Sequence, residues 1–309
     1  MYRLALIILG TLSPVLAWSE ADEPVIDVHL HVYDTSWLPF PPHSGPIGDV
    51  ARPKTQEEII AMTLAQMDEH NIVLALLHDS PENIARLRSK DPGRFLAFPD
   101  LRKGQLQPTV DQFDTQFDAG EWSGIGEIRT VYNGLRPTDR ELWPYYELAN
   151  RHDVPVFWHS AGSFPGITRV QPEFRMEIGR PLNWEDVFVR YPDLRVVLVH
   201  AGYPFLDEMI AILHLYPAVF VDTGAISHFV PNSEFYRYYG TLIGAGFGDR
   251  ILFGSDQMGW PEAIGYSVNL IKNAPWSDSV KRDILYNNAA KLLRLSDKRI
   301  EGHYGWRSN

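Results

Sequence analysis

The sequence predicts a single (β/α)8 TIM barrel of the α/β class, and three observations predict it. Eight short apolar runs alternate with amphipathic segments between residues 25 and 295. The runs are nearly continuous in Val, Ile, Leu and Phe, the pattern of parallel strands buried on both faces. The mature length matches a barrel of ordinary size, about 250 residues. A doubly wound open sheet is the runner-up. No Gly-x-Gly-x-x-Gly follows the first run, which weakens the dinucleotide-binding version of that fold.

The first strand is "VIDVHLHVY" (25–33). Alternation places Ile26, Val28, Leu30 and Val32 on one side and Asp27, His29 and His31 on the other. A helix follows over 55–70, with Thr55 as N-cap and Glu58 closing a capping box. The remaining strands are expected at 72–79, 94–101, 122–130, 154–160, 195–202, 218–225 and 250–257. Helical patterns occupy 139–153, 183–193, 204–216, 233–246, 261–273 and 277–295, with Asn183, Ser233 and Ser277 as starting caps. Two long loops, 34–54 and 161–182, follow strands and so belong to the C-terminal face of a barrel, where active sites sit.

The first 21 residues have a different character. Arg3 precedes an apolar stretch from Leu4 to Leu16, and small residues offer cleavage after Ala17 or Ala21. This is the order of a secretory signal peptide, so residues 22–309 are expected to form the mature domain, periplasmic or secreted. The chain has no cysteine, which excludes disulfides, thiolate metal sites and a cysteine nucleophile. The net charge of −11 opposes binding to nucleic acid or anionic lipid. The expected partner is a small-molecule substrate, with no nucleic acid and no membrane after cleavage; a homodimer stays open.

Polar residues interrupt or close the apolar runs at matching places. They are His29 and His31 in strand one, Glu127 in strand four, His159 in strand five, His200 in strand six and Asp256 in strand eight. Any one of them has a bland explanation: a bonded strand histidine, a core imidazole, a carboxylate paired with Arg129, a helix cap. Six together at the ends of five strands are costly to bury without a cation. Imidazole and carboxylate donors suit zinc and related divalent metals.

The order HxH, strand-four Glu, His, His, Asp resembles the amidohydrolase superfamily. "VIDVHLHVY", "GIGEIR", "FWHSAG", "VHAG", "LFGSD" and "NNAAKLLRL" are most similar to its amidohydrolase-related branch, which also contains aminocarboxymuconate-semialdehyde decarboxylase and related non-oxidative decarboxylases. The resemblance implies that His29, His31, His159 and Asp256 hold a divalent metal. It implies that His200 binds a second metal or polarises the substrate. Glu127 matches the place of a bridging carboxylate in two-metal members, whereas decarboxylases of this branch use one metal. One or two ions both remain open.

The first expectation is hydrolysis of an ester, lactone or amide by metal-activated water, with Asp256 as general base and acid and His200 stabilising the oxyanion. The alternative is non-oxidative decarboxylation of an unsaturated or aromatic carboxylic acid. A third reading is an exported metal-binding protein without activity. Arg129, Trp37 and His228 are the candidate substrate contacts, with Phe40 and Trp260 as further apolar wall and His78 beside the mouth.

Overall fold

The computed structural model of the chain describes residues 23–31, 43–101, 106–160 and 162–305. The expected signal peptide, Trp37 and Phe40 lie outside these residues. The strands run in chain order as β1 Val25–Leu30, β2 Ile72–Leu77, β3 Phe95–Ala97, β4 Ile125–Ile128, β5 Val156–His159, β6 Val196–Val199, β7 Val219–Asp222 and β8 Ile251–Leu252. β1 to β3 pair in one group and β4 to β8 in another, all parallel. Backbone bonds stitch both seams. Gly126 N–H donates to Pro99 O at 3.1 Å, Val28 N–H to Phe253 O at 2.9 Å, and Asp256 N–H to His29 O at 2.8 Å. The sheet therefore closes into a TIM barrel, and closure removes the exposed edges an open sheet would carry.

The helices are α1 Gln56–Glu69, α2 Pro81–Arg88, α3 Val110–Asp118, α4 Trp143–Arg151, α5 Glu185–Arg190, α6 Leu206–Leu215, α7 Ile226–Phe229, α8 Asn232–Gly244, α9 Glu262–Lys272, α10 Asp278–Arg282, α11 Asn288–Leu292 and α12 Asp297–Tyr304. Thr55 caps α1 as expected, accepting from Glu58 N–H at 3.1 Å, and Ser277 caps α10. Such a cap contributes about 1 kcal/mol. Asn183 does not cap α5; its amide donates to the carbonyls of Glu177 and Ile178 and closes the preceding loop. Ser233 lies inside the first turn of α8, which opens on Pro231 and Asn232. Helices α2 and α3 lie outside the expected set. Both are short, and their sequence signals are caps: Ser80 before Pro81, and the Thr109–Gln112 capping box.

Strand alternation divides the core into two layers. Val197 and Val199 of β6 pack with Phe157, Phe220 and Leu252 inside the barrel, above a floor of Tyr286 and Leu292. Val196 and Leu198 face the helices, with Met209 and Ile212. β1 departs from strict alternation. Ile26 and Val28 belong to the inner cluster, but Leu30 joins Val25 in the outer one. A register shift against β2 between Asp27 and Leu30 changes the phase of the strand. Among the described residues no helix is long and apolar enough to cross a membrane.

Candidate metal centre

All six expected donors converge at the C-terminal mouth of the barrel, and all are buried. His29 comes from β1, His31 follows it directly, Glu127 lies in β4, and His159 ends β5. His200 follows β6 and Asp256 lies in the loop beyond β8. His29 Nε2 and His31 Nε2 are 3.1 Å apart. Glu127 Oε2 lies 3.8 and 3.6 Å from them, and Asp256 Oδ1 lies 3.7 and 3.4 Å from them. Glu127 Oε1 is 2.7 Å from His159 Nδ1 and 3.6 Å from His200 Nε2, and those two nitrogens are 3.2 Å apart. The donors fall into two triads, His29–His31–Asp256 and Glu127–His159–His200, with Glu127 facing both.

The outward nitrogen of each histidine has an oxygen partner, and that partner sets the tautomer. His29 Nδ1–H donates to Asp222 Oδ2 at 2.7 Å. His31 Nδ1–H donates to the carbonyl of His78. His200 Nδ1–H donates to Gly224 O at 2.8 Å, and His159 Nε2–H to Gly162 O at 3.0 Å. A neutral imidazole held this way turns a lone pair inward. Four lone pairs then face one another and two carboxylates across 2.7–3.9 Å. That arrangement is repulsive without positive charge and favourable around a divalent cation, so the donor set fits one.

Protons answer the same demand. Burial pulls the pKa of His29 down, but Asp256 and Asp222 outweigh it and hold His29 well above the ordinary imidazole range. His200 is raised against its burial by Glu127, Asp256 and Asp222. Glu127 is held well below the usual carboxylate range, the charge and hydrogen bonds of its histidine neighbours overcoming burial. His78, which donates to Val28 O at 2.8 Å beneath His31, is pushed down to about 3 by burial and by the neighbouring imidazolium charge.

Asp222, at the end of β7, is the functional residue the sequence reading missed. Its Oδ2 takes His29, and its Oδ1 accepts the backbone N–H groups of His200 at 2.6 Å and Gly224 at 3.3 Å. The signal was available in "AVFVDTGA", where an aspartate closes an apolar run as Asp256 nearly does. Asp27 ties backbone together: its Oδ1 accepts the N–H groups of His29 and Ser255. His200 and Asp256 have φ of 62° and 46°. Left-handed backbone at a non-glycine residue costs roughly 1–2 kcal/mol. Strain of that kind gathers where side-chain aim matters.

The expected substrate contacts divide. Arg129 reaches the site, 3.8 Å from Glu127 Oε2, but its guanidinium is paired with Asp100. His228 is fully buried under the Asp256 loop rather than open to the mouth, and Trp260 packs against Phe229 and Ile59. Tyr132 Oη, beside His159 Nε2 and Ser163 Oγ at 3.2 Å from each, is a further polar group at the mouth.

The amidohydrolase family model matches residues 26–295. The gamma-resorcylate decarboxylase of Polaromonas sp. strain JS666 is 24% identical over 258 residues, 69% of this chain and 74% of the relative. Among solved structures, an uncharacterised TIM-barrel protein of Bordetella bronchiseptica superposes with a TM-score of 0.62 at 18% identity, covering 88% of this chain and 99% of the other. A dihydroxybenzoic acid decarboxylase from Polaromonas sp. JS666, solved with manganese and the inhibitor 2-nitroresorcinol, superposes with a TM-score of 0.61 at 17% identity, covering 88% and 97%. These relatives correct the first functional expectation. Hydrolysis of an ester, lactone or amide is overturned as the first reading by the curated relative, which is a decarboxylase, as is the dihydroxybenzoic acid enzyme among the solved structures. The reason lies in the donors: a metal, a histidine and an aspartate serve both reactions, so the ligand motif alone does not discriminate.

Proposed function

The chain belongs to the amidohydrolase family, and from that membership and the geometry of its centre we propose that it is a metal-dependent, non-oxidative decarboxylase of a hydroxylated aromatic carboxylic acid. The observation that carries the reading is the gamma-resorcylate decarboxylase relative, matched over 69% of this chain and 74% of its own length. His29, His31, His159 and Asp256 would hold one divalent ion, with Glu127 between His159 and the HxH pair as a further donor. Manganese or zinc suits this mixed nitrogen and oxygen set. A divalent cation bound there supplies Lewis-acid neutralisation of the substrate's carboxylate and adjacent hydroxyl oxygen.

The chain's own residues do the rest. Asp256 Oδ2 lies 3.9 Å from His200 Nε2, so a carboxylate and an imidazole flank one position at the mouth. Decarboxylation breaks the bond between ring carbon and carboxyl carbon. The electron pair stays on the ring carbon, which takes one proton, and CO2 departs. Asp256 takes that proton from solvent and delivers it in this proposal, and His200, whose raised pKa lets it carry a proton on Nε2 as well as on Nδ1, donates a hydrogen bond to the substrate oxygen that gains charge. Tyr132 Oη and Arg129 hold the rim in place. The segment 1–21 carries the accompanying proposal of export, with cleavage after Ala17 or Ala21.

Product analysis on a panel of ortho-hydroxylated benzoates tests the reading. The expected result is one CO2 and one phenol for each acid consumed. No consumption across the panel, by protein shown to hold its metal, would overturn it.

A further inference from the structure

Two histidines outside the donor set are joined in a relay beneath Asp256. Gly45 N–H donates to His43 Nδ1 at 2.9 Å. That bond leaves the His43 proton on Nε2, which donates to His228 Nδ1 at 2.8 Å. His228 in turn carries its proton on Nε2, within 3.1 Å of Ser255 O and 3.2 Å of Asp256 O. In each ring one nitrogen faces a donor and the other faces only acceptors, so the partners fix both tautomers. The two rings are buried, at 7% and 0% exposure. His43 stacks on Phe229 with ring centroids 4.6 Å apart and meets Trp260 edge-on at 4.9 Å. Gly45 approaches so closely that an added Cβ would lie 1.9 Å from His228 O.

The relay ends on the carbonyl of a residue whose backbone is left-handed, with φ 46° at Asp256. The opposite side of this turn is tied as well, by Asp256 N–H to His29 O at 2.8 Å. Both peptide groups of Asp256 are thus pinned, one to β1 and one to the His228–His43 pair. The carboxylate that emerges between them has few directions left.

We infer that His43, acting through His228, is a positioning residue for Asp256: it fixes the backbone from which that carboxylate reaches the metal centre. The inference rests on the proposed role of Asp256, and its test uses no turnover. Groups that orient metal ligands are worth about 10–100-fold in metal affinity when removed.

The experiment has two measurements. The first is the ring-nitrogen NMR spectrum of metal-free protein labelled at histidine. His43 and His228 should both show a protonated Nε2 and a bare Nδ1; the opposite tautomer at either ring would overturn the relay. The second is competition for Mn2+ between a chelating dye and three proteins. His43→Phe keeps the ring packing against Phe229 and Trp260 but loses the donor, and should bind at least about 10-fold more weakly than wild type. His43→Gln restores a donor and should stay within about threefold of wild type. Wild-type affinity in His43→Phe, or an equal loss in both variants, would reduce His43 to packing. If His43→Phe does not fold, His43→Leu, which also lacks the donor, takes its place in the competition with the same expected loss and the same overturning result. A protein that passes both measurements yet releases no CO2 would refute the decarboxylase reading and leave the relay standing.

Discussion

Asp222 Oδ2 accepts the Nδ1–H of His29 at 2.7 Å, and this bond decides which nitrogen His29 shows to the centre. The same carboxylate fixes the turn carrying His200 through its backbone N–H at 2.6 Å. Asp222→Ala therefore frees two donors of the centre at once. Metal affinity should fall about 10–100-fold, measured by chelator competition. Unchanged affinity would remove Asp222 from the centre.

Two glycines allow this close packing. A Cβ on Gly224 would lie 2.9 Å from His29 Nδ1, and one on Gly254 would lie 2.8 Å from His29 Cβ and 2.9 Å from Asp222 Oδ2. Gly224→Ala and Gly254→Ala should each destabilise the fold by about 1–3 kcal/mol. Urea unfolding checks this, and wild-type midpoints would show that the turn yields without cost.

Asp256→Asn keeps the size of the side chain and removes the proton carrier. Turnover should fall about 10²–10⁴-fold with the melting temperature little changed. Activity near wild type would take the proton-delivery role from Asp256.

Most of this centre was legible before any coordinates. HxH, Glu127, His159, His200 and Asp256 each break an apolar run, and a parallel barrel brings strand ends together whatever the loops do. Asp222 breaks a run in the same way, yet its part depends on a bond to a residue 193 positions away. The relay from His43 was harder still to see. Nothing local to "HSG" reports a ring packed on Phe229 or a bond to His228. The phase change in β1 was hidden for a related reason, because alternation presumes an unbroken register with the neighbouring strand. The reaction was the least legible feature, since hydrolases and decarboxylases share these donors.

Metal and protons should compete for the centre. His29 and His200 are raised, so without metal they hold protons at pH values where an ordinary imidazole has begun to lose them. Binding must expel the proton of His29, a ligand of the ion, and apparent affinity should rise with pH. Proton release on adding Mn2+ to metal-free protein in weak buffer measures it. No release would mean that His29 enters binding already neutral.

Stability should also depend on pH away from the centre. Burial lowers His303 to about 4, while the unfolded side chain titrates near 6.5. Between these values the unfolded chain binds more protons, so the stability His303 contributes is lost as pH falls from 6.5 towards 4. His303→Gln should flatten that part of the stability curve in urea titrations. An unaltered slope would show that His303 is not the group responsible.

The most direct measurement is CO2 release from 2,6-dihydroxybenzoate by protein stripped of metal and then titrated with Mn2+. The stripped protein should release none, release should recover in proportion to the metal added, and it should saturate at one ion per chain. Release undiminished by stripping, or none at any metal load, would contradict the proposed reaction.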